Sequence, residues 1–103
     1  MAVNDWLFLT NQARVLMYIA CKPTSTAREI AQVVGITERA TQRLIRDLDD
    51  AGYITRTRVG RHNEYEVHTD QPLRGHVLGD APVSVLLECL NVPTNGRLTT
   101  PGN

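Results

Sequence analysis

The sequence has two cysteines, a single tryptophan, no net charge and no long apolar run. Cys21 and Cys89 lie far apart, too few for a disulfide framework and not spaced as metal ligands, which points to a reducing compartment. Each falls in an apolar helical pattern, where a thiol acts as a small buried hydrophobe. His62, His68 and His76 keep no metal-ligand spacing with one another or with a cysteine, so neither a metal nor another cofactor is expected. The apolar runs are too short to span a bilayer, and the N-terminus has no basic-then-apolar leader, so a cytoplasmic protein without membrane association is expected. Catalytic signatures are missing as well. There is no paired carboxylate set, phosphate-cradling glycine loop or nucleophile elbow, and the adjacent Asp49 and Asp50 point to different helix faces. An enzyme is not expected.

Eleven basic residues balance eleven acidic ones. A role on nucleic acid would therefore come from where charge is placed, not from its amount. Lysine is nearly absent: Lys22 is the one exception among residues that are otherwise arginine, the side chain suited to forked contacts with phosphate or guanine.

What is present is a run of local start and stop signals. Trp6, Leu7, Phe8 and Leu9 form an apolar lead-in, Thr10 can cap a helix, and Val15, Leu16, Ile19 and Ala20 recur at helical spacing to about Cys21. Thr26 to Glu29 reads T-x-x-E, a capping box, and Ala27, Ile30, Ala31 and Val34 follow on one stripe. Gly35 suits a left-handed helix end, and Thr37 can cap a third helix on which Ala40, Leu44, Leu48 and Ala51 share a face, with Thr41 and Ile45 beside them. Two short helices joined by a tight glycine turn make a helix-turn-helix. After Gly52 the period changes to two. "YITRTRVGRHNEYEVH" predicts a hairpin with strands near 53–58 and 63–68, a tip at Gly60, and Tyr65 and Val67 facing inward. Arg56 and Arg58 are expected to neutralise Glu64 and Glu66 across the strands. Residues 75–91 are expected as a linker and a C-terminal helix carrying Val83, Leu86, Leu87 and Leu90, and 92–103 as a flexible tail.

The expected fold is mainly α with a small β-hairpin: a three-helix core plus wing over 1–74, followed by that C-terminal helix. The run "AREIAQVVGITERATQRLIRDL", with "AGYI" leading straight into an arginine-rich hairpin, resembles the winged helix-turn-helix of MarR- and ArsR-like transcription regulators. The resemblance covers about Leu9 to His68. It implies a regulator that binds double-stranded DNA as a homodimer, with the third helix in the major groove and the wing on the backbone or minor groove. Carried onto this chain, Thr37, Arg39, Gln42, Arg43 and Arg46 would face the groove, and Arg58, Arg61, His62 and Asn63 would lie at or near the wing tip. Family members commonly place an apolar residue where this chain has Thr41, and the cysteine-containing metal motif of metal-sensing relatives is missing.

The third helix carries its own argument. Arg39, Gln42, Arg43 and Arg46 span one face, opposite Leu44 and Leu48. The plainer reading is a solvated face with Arg43–Asp47 and Arg46–Asp50 as ion pairs. Those pairs run in the less favourable order, worth about 0.2–0.5 kcal/mol each at best. They also set arginine at the positive end of the macrodipole and aspartate at the negative end. An ordering that costs the free helix something makes sense if its N-terminal half meets phosphates and guanine edges. A protein-interaction module docking an acidic partner on the same face is the alternative. The C-terminal helix is short enough to need cover. Its stripe fits either its own body or a partner chain, and of the two, pairing of two chains through Leu16, Ile19, Val83, Leu86, Leu87 and Leu90 is expected. The sequence names no small-molecule effector.

Overall fold

The computed structural model describes residues 7–74, 81–93 and 98–99, the last pair by backbone alone. Trp6, His76 and most of the expected linker and tail lie outside the described residues. Three helices come first, α1 (Asn11–Cys21), α2 (Ala27–Val34) and α3 (Glu38–Asp50). The strands β1 (Ile54–Val59) and β2 (His62–His68) follow, then α4 (Val83–Cys89) and β3 (Leu98–Thr99). None of the described helices is long and apolar enough to cross a membrane.

Each of α1, α2 and α3 begins where a threonine can satisfy an orphan amide. Thr10 accepts from Ala13 N at 3.2 Å and Thr37 from Ala40 N at 3.0 Å. At α2 the box is reciprocal: Glu29 N donates to Thr26 Oγ1 at 3.1 Å and Thr26 N to Glu29 Oε1 at 2.8 Å. Gly35 (φ +84°) ends α2 in the left-handed region, so the chain turns into α3 within two residues. Gly52 (φ +87°) ends α3 the same way, with Tyr53 N donating back to Leu48 O at 2.9 Å. This places Tyr53 and Ile54 directly under the helices as the wing begins.

One core holds the body together. Val15, Leu16, Ile19 and Ala20 of α1 pack with Ile30 and Val34 of α2, Ile45 and Leu48 of α3, and Tyr53, Ile54, Tyr65 and Val67 of the wing base. Thr41 lies wholly inside this layer, its hydroxyl donating to Thr37 O at 3.0 Å. The polar atom thus closes a bond one turn back within its own helix while its methyl fills the apolar position.

Val83 and Leu87 belong to that same core, with relative exposures of 0% and 4%. The expectation that Leu16, Ile19, Val83 and Leu87 face a second chain is therefore corrected: all four are buried within one chain. The reason is geometric. Leu73 N donates to Ala81 O, Val83 N to Gln71 O and Ser84 N to Thr69 O, and these bonds tie the start of α4 to the segment leaving β2. The apolar stripe of α4 is laid on the body it follows. Leu86 is half-buried, and Leu90 and Val85 are exposed. Within the expected tail, Leu98–Thr99 pairs in parallel with Val67 and His68 of β2, giving a sheet of order β1-β2-β3. Neither thiol is buried: Cys21 is half-exposed and Cys89 exposed.

Candidate nucleic-acid interface

The wing is an antiparallel hairpin whose register pairs Ile54 with Val67, Arg56 with Tyr65 and Arg58 with Asn63. Thr55 and Thr57 stand opposite Glu66 and Glu64. The expected neutralisation of Arg56 and Arg58 by Glu64 and Glu66 is thus corrected. Side chains alternate between sheet faces, so this register puts the arginines on the face of Tyr65 and Val67 and the glutamates on the other. A slip of one residue would have mixed them. The hairpin thus sorts its own strand charges into a basic face toward α3, with Arg56 and Arg58, and an acidic face away from it, with Glu64 and Glu66. Gly60 (φ +62°) opens a two-residue turn between Val59 and His62, the geometry of a hairpin turn with glycine at its first central position.

Between α3 and that basic face lies a groove of about 350 Å³. Gln42 and Arg46 line it from α3, and Arg56, Arg58, Arg61, His62, Asn63 and Tyr65 from the wing. Ser25, Thr26 and Ala27, at the start of α2, close it off. No carboxylate is among its lining residues. Six of the residues expected at a DNA surface are therefore brought to one concavity: Gln42, Arg46, Arg58, Arg61, His62 and Asn63. Thr37, Arg39 and Arg43 are exposed on α3 but outside the groove lining, and the Thr37 oxygen is engaged as the helix cap. Sequence reasoning missed Arg56, Ser25 and Thr26. The capping box at Thr26 was a usable signal for the last two, since it marks a helix start in the segment preceding α3.

The electrostatics favour an anion. Among the described residues neither Arg43–Asp47 nor Arg46–Asp50 forms an ion pair within 4.0 Å, so the arginines of α3 are not neutralised along their own helix. Arg56 Nε donates to Asp49 Oδ2 at 2.8 Å, and Arg58 Nε donates to Gly60 O at 3.1 Å across the wing turn. His62 Nε2 lies 3.8 Å from Glu64 Oε2, an ion pair only when the ring is protonated. Burial pushes the Tyr65 phenol up from its ordinary 10.0, with Asn63 and Arg56 partly opposing the rise, so the groove floor is a neutral hydroxyl at physiological pH.

A short helix-turn-helix, an arginine-bearing second helix of that pair and a basic hairpin form one continuous surface, and comparison with known proteins agrees. The MarR family profile matches residues 8–62, just over half of the chain. The chain belongs to the MarR family. The match runs from Phe8 to the turn of the wing and leaves α4 outside it. Among solved structures, a Lactococcus lactis ZitR mutant is 20% identical with a TM-score of 0.55, covering 89% of this chain and 57% of that one. A MarR family protein of Mycobacterium tuberculosis, crystallised with salicylic acid, is 27% identical with a TM-score of 0.49, covering 57% of this chain and 47% of that one. The ZitR likeness shows the winged-helix fold. This MarR family chain spans about half the length of the two structures, 57% and 47%. No curated protein matches it.

A second groove, of about 560 Å³, shares no residue with the basic one. Leu7, Phe8, Met17, Val33 and Leu90 give it an apolar lining in which Arg14 is the charged member.

Proposed function

We propose that this chain is a sequence-specific, double-stranded-DNA-binding transcription regulator acting in the cytoplasm as a homodimer. Helix α3 enters the major groove, where Arg39, Gln42, Arg43 and Arg46 read base edges, and the wing residues Arg58, Arg61, His62 and Asn63 hold the backbone or minor groove. Thr37 sits at the entry end of α3. The observation that carries this reading is the carboxylate-free groove in which Gln42 and Arg46 of α3 meet the arginines of the wing. A duplex presents two kinds of target side by side, base edges and phosphates. A rigid helix and a hairpin set at a fixed separation suit that geometry.

Two copies on a pseudo-palindromic site need a face away from DNA. With Leu16, Ile19, Val83 and Leu87 inside the body, that face comprises Leu86 and the exposed Leu90, together with Phe8 and Val33 around the apolar groove. The pairing is tested by sedimentation: Leu90→Asp is expected to shift a dimer toward monomer. The DNA reading is tested by selecting bound duplexes from a random pool and following binding with salt. Enrichment of a two-fold-related sequence and a steep fall in affinity with salt are expected. If no duplex is retained near 50 mM salt, a concentration at which phosphate contacts are strong, the reading is wrong.

A further inference from the structure

Arg56 is the groove residue whose placement the hairpin register alone explains. Its partner across the strands is Tyr65, so it leaves β1 on the side facing α3. Its side chain is 37% exposed and its Nε is held by Asp49 Oδ2 at 2.8 Å. A guanidinium carries five N–H donors in a fixed plane. Only Nε is engaged among the described residues, which leaves the two terminal nitrogens to a groove that Arg46, Arg58 and Arg61 also line. A tie between α3 and β1 for stability alone would not need a residue with donors to spare, and exposed pairs of this kind are weak. Several guanidiniums converging on one concavity repel one another, and a bound anion relieves this. Asp49 pairs with Arg56, and it takes a nitrogen that a phosphate in the groove would not need.

We infer that Arg56 is a phosphate-contacting residue of the groove between α3 and the wing, and that Asp49 is its positioning residue, fixing the guanidinium plane so that both terminal nitrogens meet one phosphate. The inference rests on the DNA reading and adds to it a contact from the base of the wing. Asp49 sits near the C-terminal end of α3, so the pair also fixes the wing against the helix that reads bases. The separation between the base contacts and the backbone contact is thereby set within the protein.

The test uses the full chain and a fluorescein-labelled duplex of random sequence, titrated at several salt concentrations. Arg56→Ala is expected to weaken binding roughly 3- to 10-fold and to lower the salt slope by about 0.9, the value of one phosphate contact. Arg56→Lys keeps the charge but cannot hold a carboxylate and a phosphate with one planar fork, so it is expected to bind more weakly than wild type while keeping the slope. Asp49→Ala is expected to weaken binding about 2- to 5-fold in the wild-type background and to have no effect when Arg56 is already alanine, the signature of a residue acting through its partner. Equal losses from Asp49→Ala in both backgrounds would make the pair merely structural, and a gain in affinity would make Asp49 a competitor for the phosphate; either result overturns the inference. If Arg46→Ala weakens binding while Arg56→Ala leaves affinity and slope unchanged, the DNA reading stands and this inference fails. A wild-type chain that binds no duplex ends both.

Discussion

His68 Nδ1 lies 2.9 Å from the carbonyl oxygen of Gly52, joining the end of β2 to the residue that terminates α3. A carbonyl only accepts, so Nδ1 carries the proton. In the neutral ring Nε2 then accepts from the Thr55 hydroxyl 2.7 Å away. One imidazole thus spans three points: the helix terminator, β1 and β2. His68→Ala removes both bonds and is expected to cost about 1–2 kcal/mol, and Thr55→Val, which removes one, about half of that. Urea unfolding measures both. If Thr55→Val and wild type unfold at the same urea concentration, the wing is held by its strands and not by this clamp.

Thr41 gives a contrasting case. Its hydroxyl donates to Thr37 O, but that carbonyl also accepts from Thr41 N at 3.0 Å. Removing the hydroxyl therefore orphans nothing. Thr41→Val is expected to change stability by less than about 1 kcal/mol, in the stabilising direction, because a buried polar group is replaced by one of similar shape. Thr41→Ala leaves a gap in the layer and is expected to cost about 1–2 kcal/mol. Thermal melts that rank alanine above valine would contradict this account.

These two sites also mark how far the sequence could be read. The three N-caps, the capping box and the glycine ends at Gly35 and Gly52 are local signals, and the helices begin and end where they predict. The burial of Tyr65 and Val67 follows from alternation alone. The register of the hairpin is a different matter. Arginine recurs at every second residue of β1 and glutamate at every second residue of β2, and a shift of one residue exchanges a neutralised sheet for a charge-sorted one with the same sequence pattern. The destination of α4 was hidden for a similar reason: an apolar stripe of Val83, Leu86, Leu87 and Leu90 fits its own body or a second copy equally well. Arg56 and Asp49 are linked by packing of α3 on β1, which no spacing rule expresses.

At acid pH the start of α2 is the place to look. The Thr26 backbone amide, and after it the Thr26 side chain, holds the Glu29 carboxyl below its ordinary 4.5. A carboxyl with a lowered folded pKa adds stability that is present above the ordinary value and lost as pH falls through the folded one. Glu29→Gln keeps the capping hydrogen bond without the charge. The stability difference between wild type and Glu29→Gln is expected to close as pH drops below 4.5. A difference that stays constant down the acid limb would show that the charge plays no part.

Tyr65 governs the opposite limb. Burial raises its phenol above 10.0, so the folded chain keeps a proton that the unfolded chain releases. Stability is therefore full below that value and falls as pH rises through it. Tyr65→Phe removes this dependence. The expected result is an alkaline unfolding limb shallower in Tyr65→Phe than in wild type, checked by circular dichroism, with phenolate absorbance reporting the late-titrating tyrosine.

The groove geometry separates two kinds of arginine on DNA. Arg43 is exposed on α3 beyond the groove lining, and Arg61 sits in the wing turn within it. If α3 reads bases, Arg43→Ala should lower affinity for a selected site more than for random duplex, narrowing their ratio by about 1–3 kcal/mol, the worth of one bidentate base contact. Arg61→Ala should lower both by the same factor and reduce the salt slope by about 0.9, because a phosphate looks alike at every sequence. The two variants are compared on the same pair of duplexes at two salt concentrations. Equal losses from Arg43→Ala on selected and random DNA would remove it from base reading and leave α3 as a phosphate-binding helix. A change in the selected-to-random ratio from Arg61→Ala would instead move the reading of sequence onto the wing.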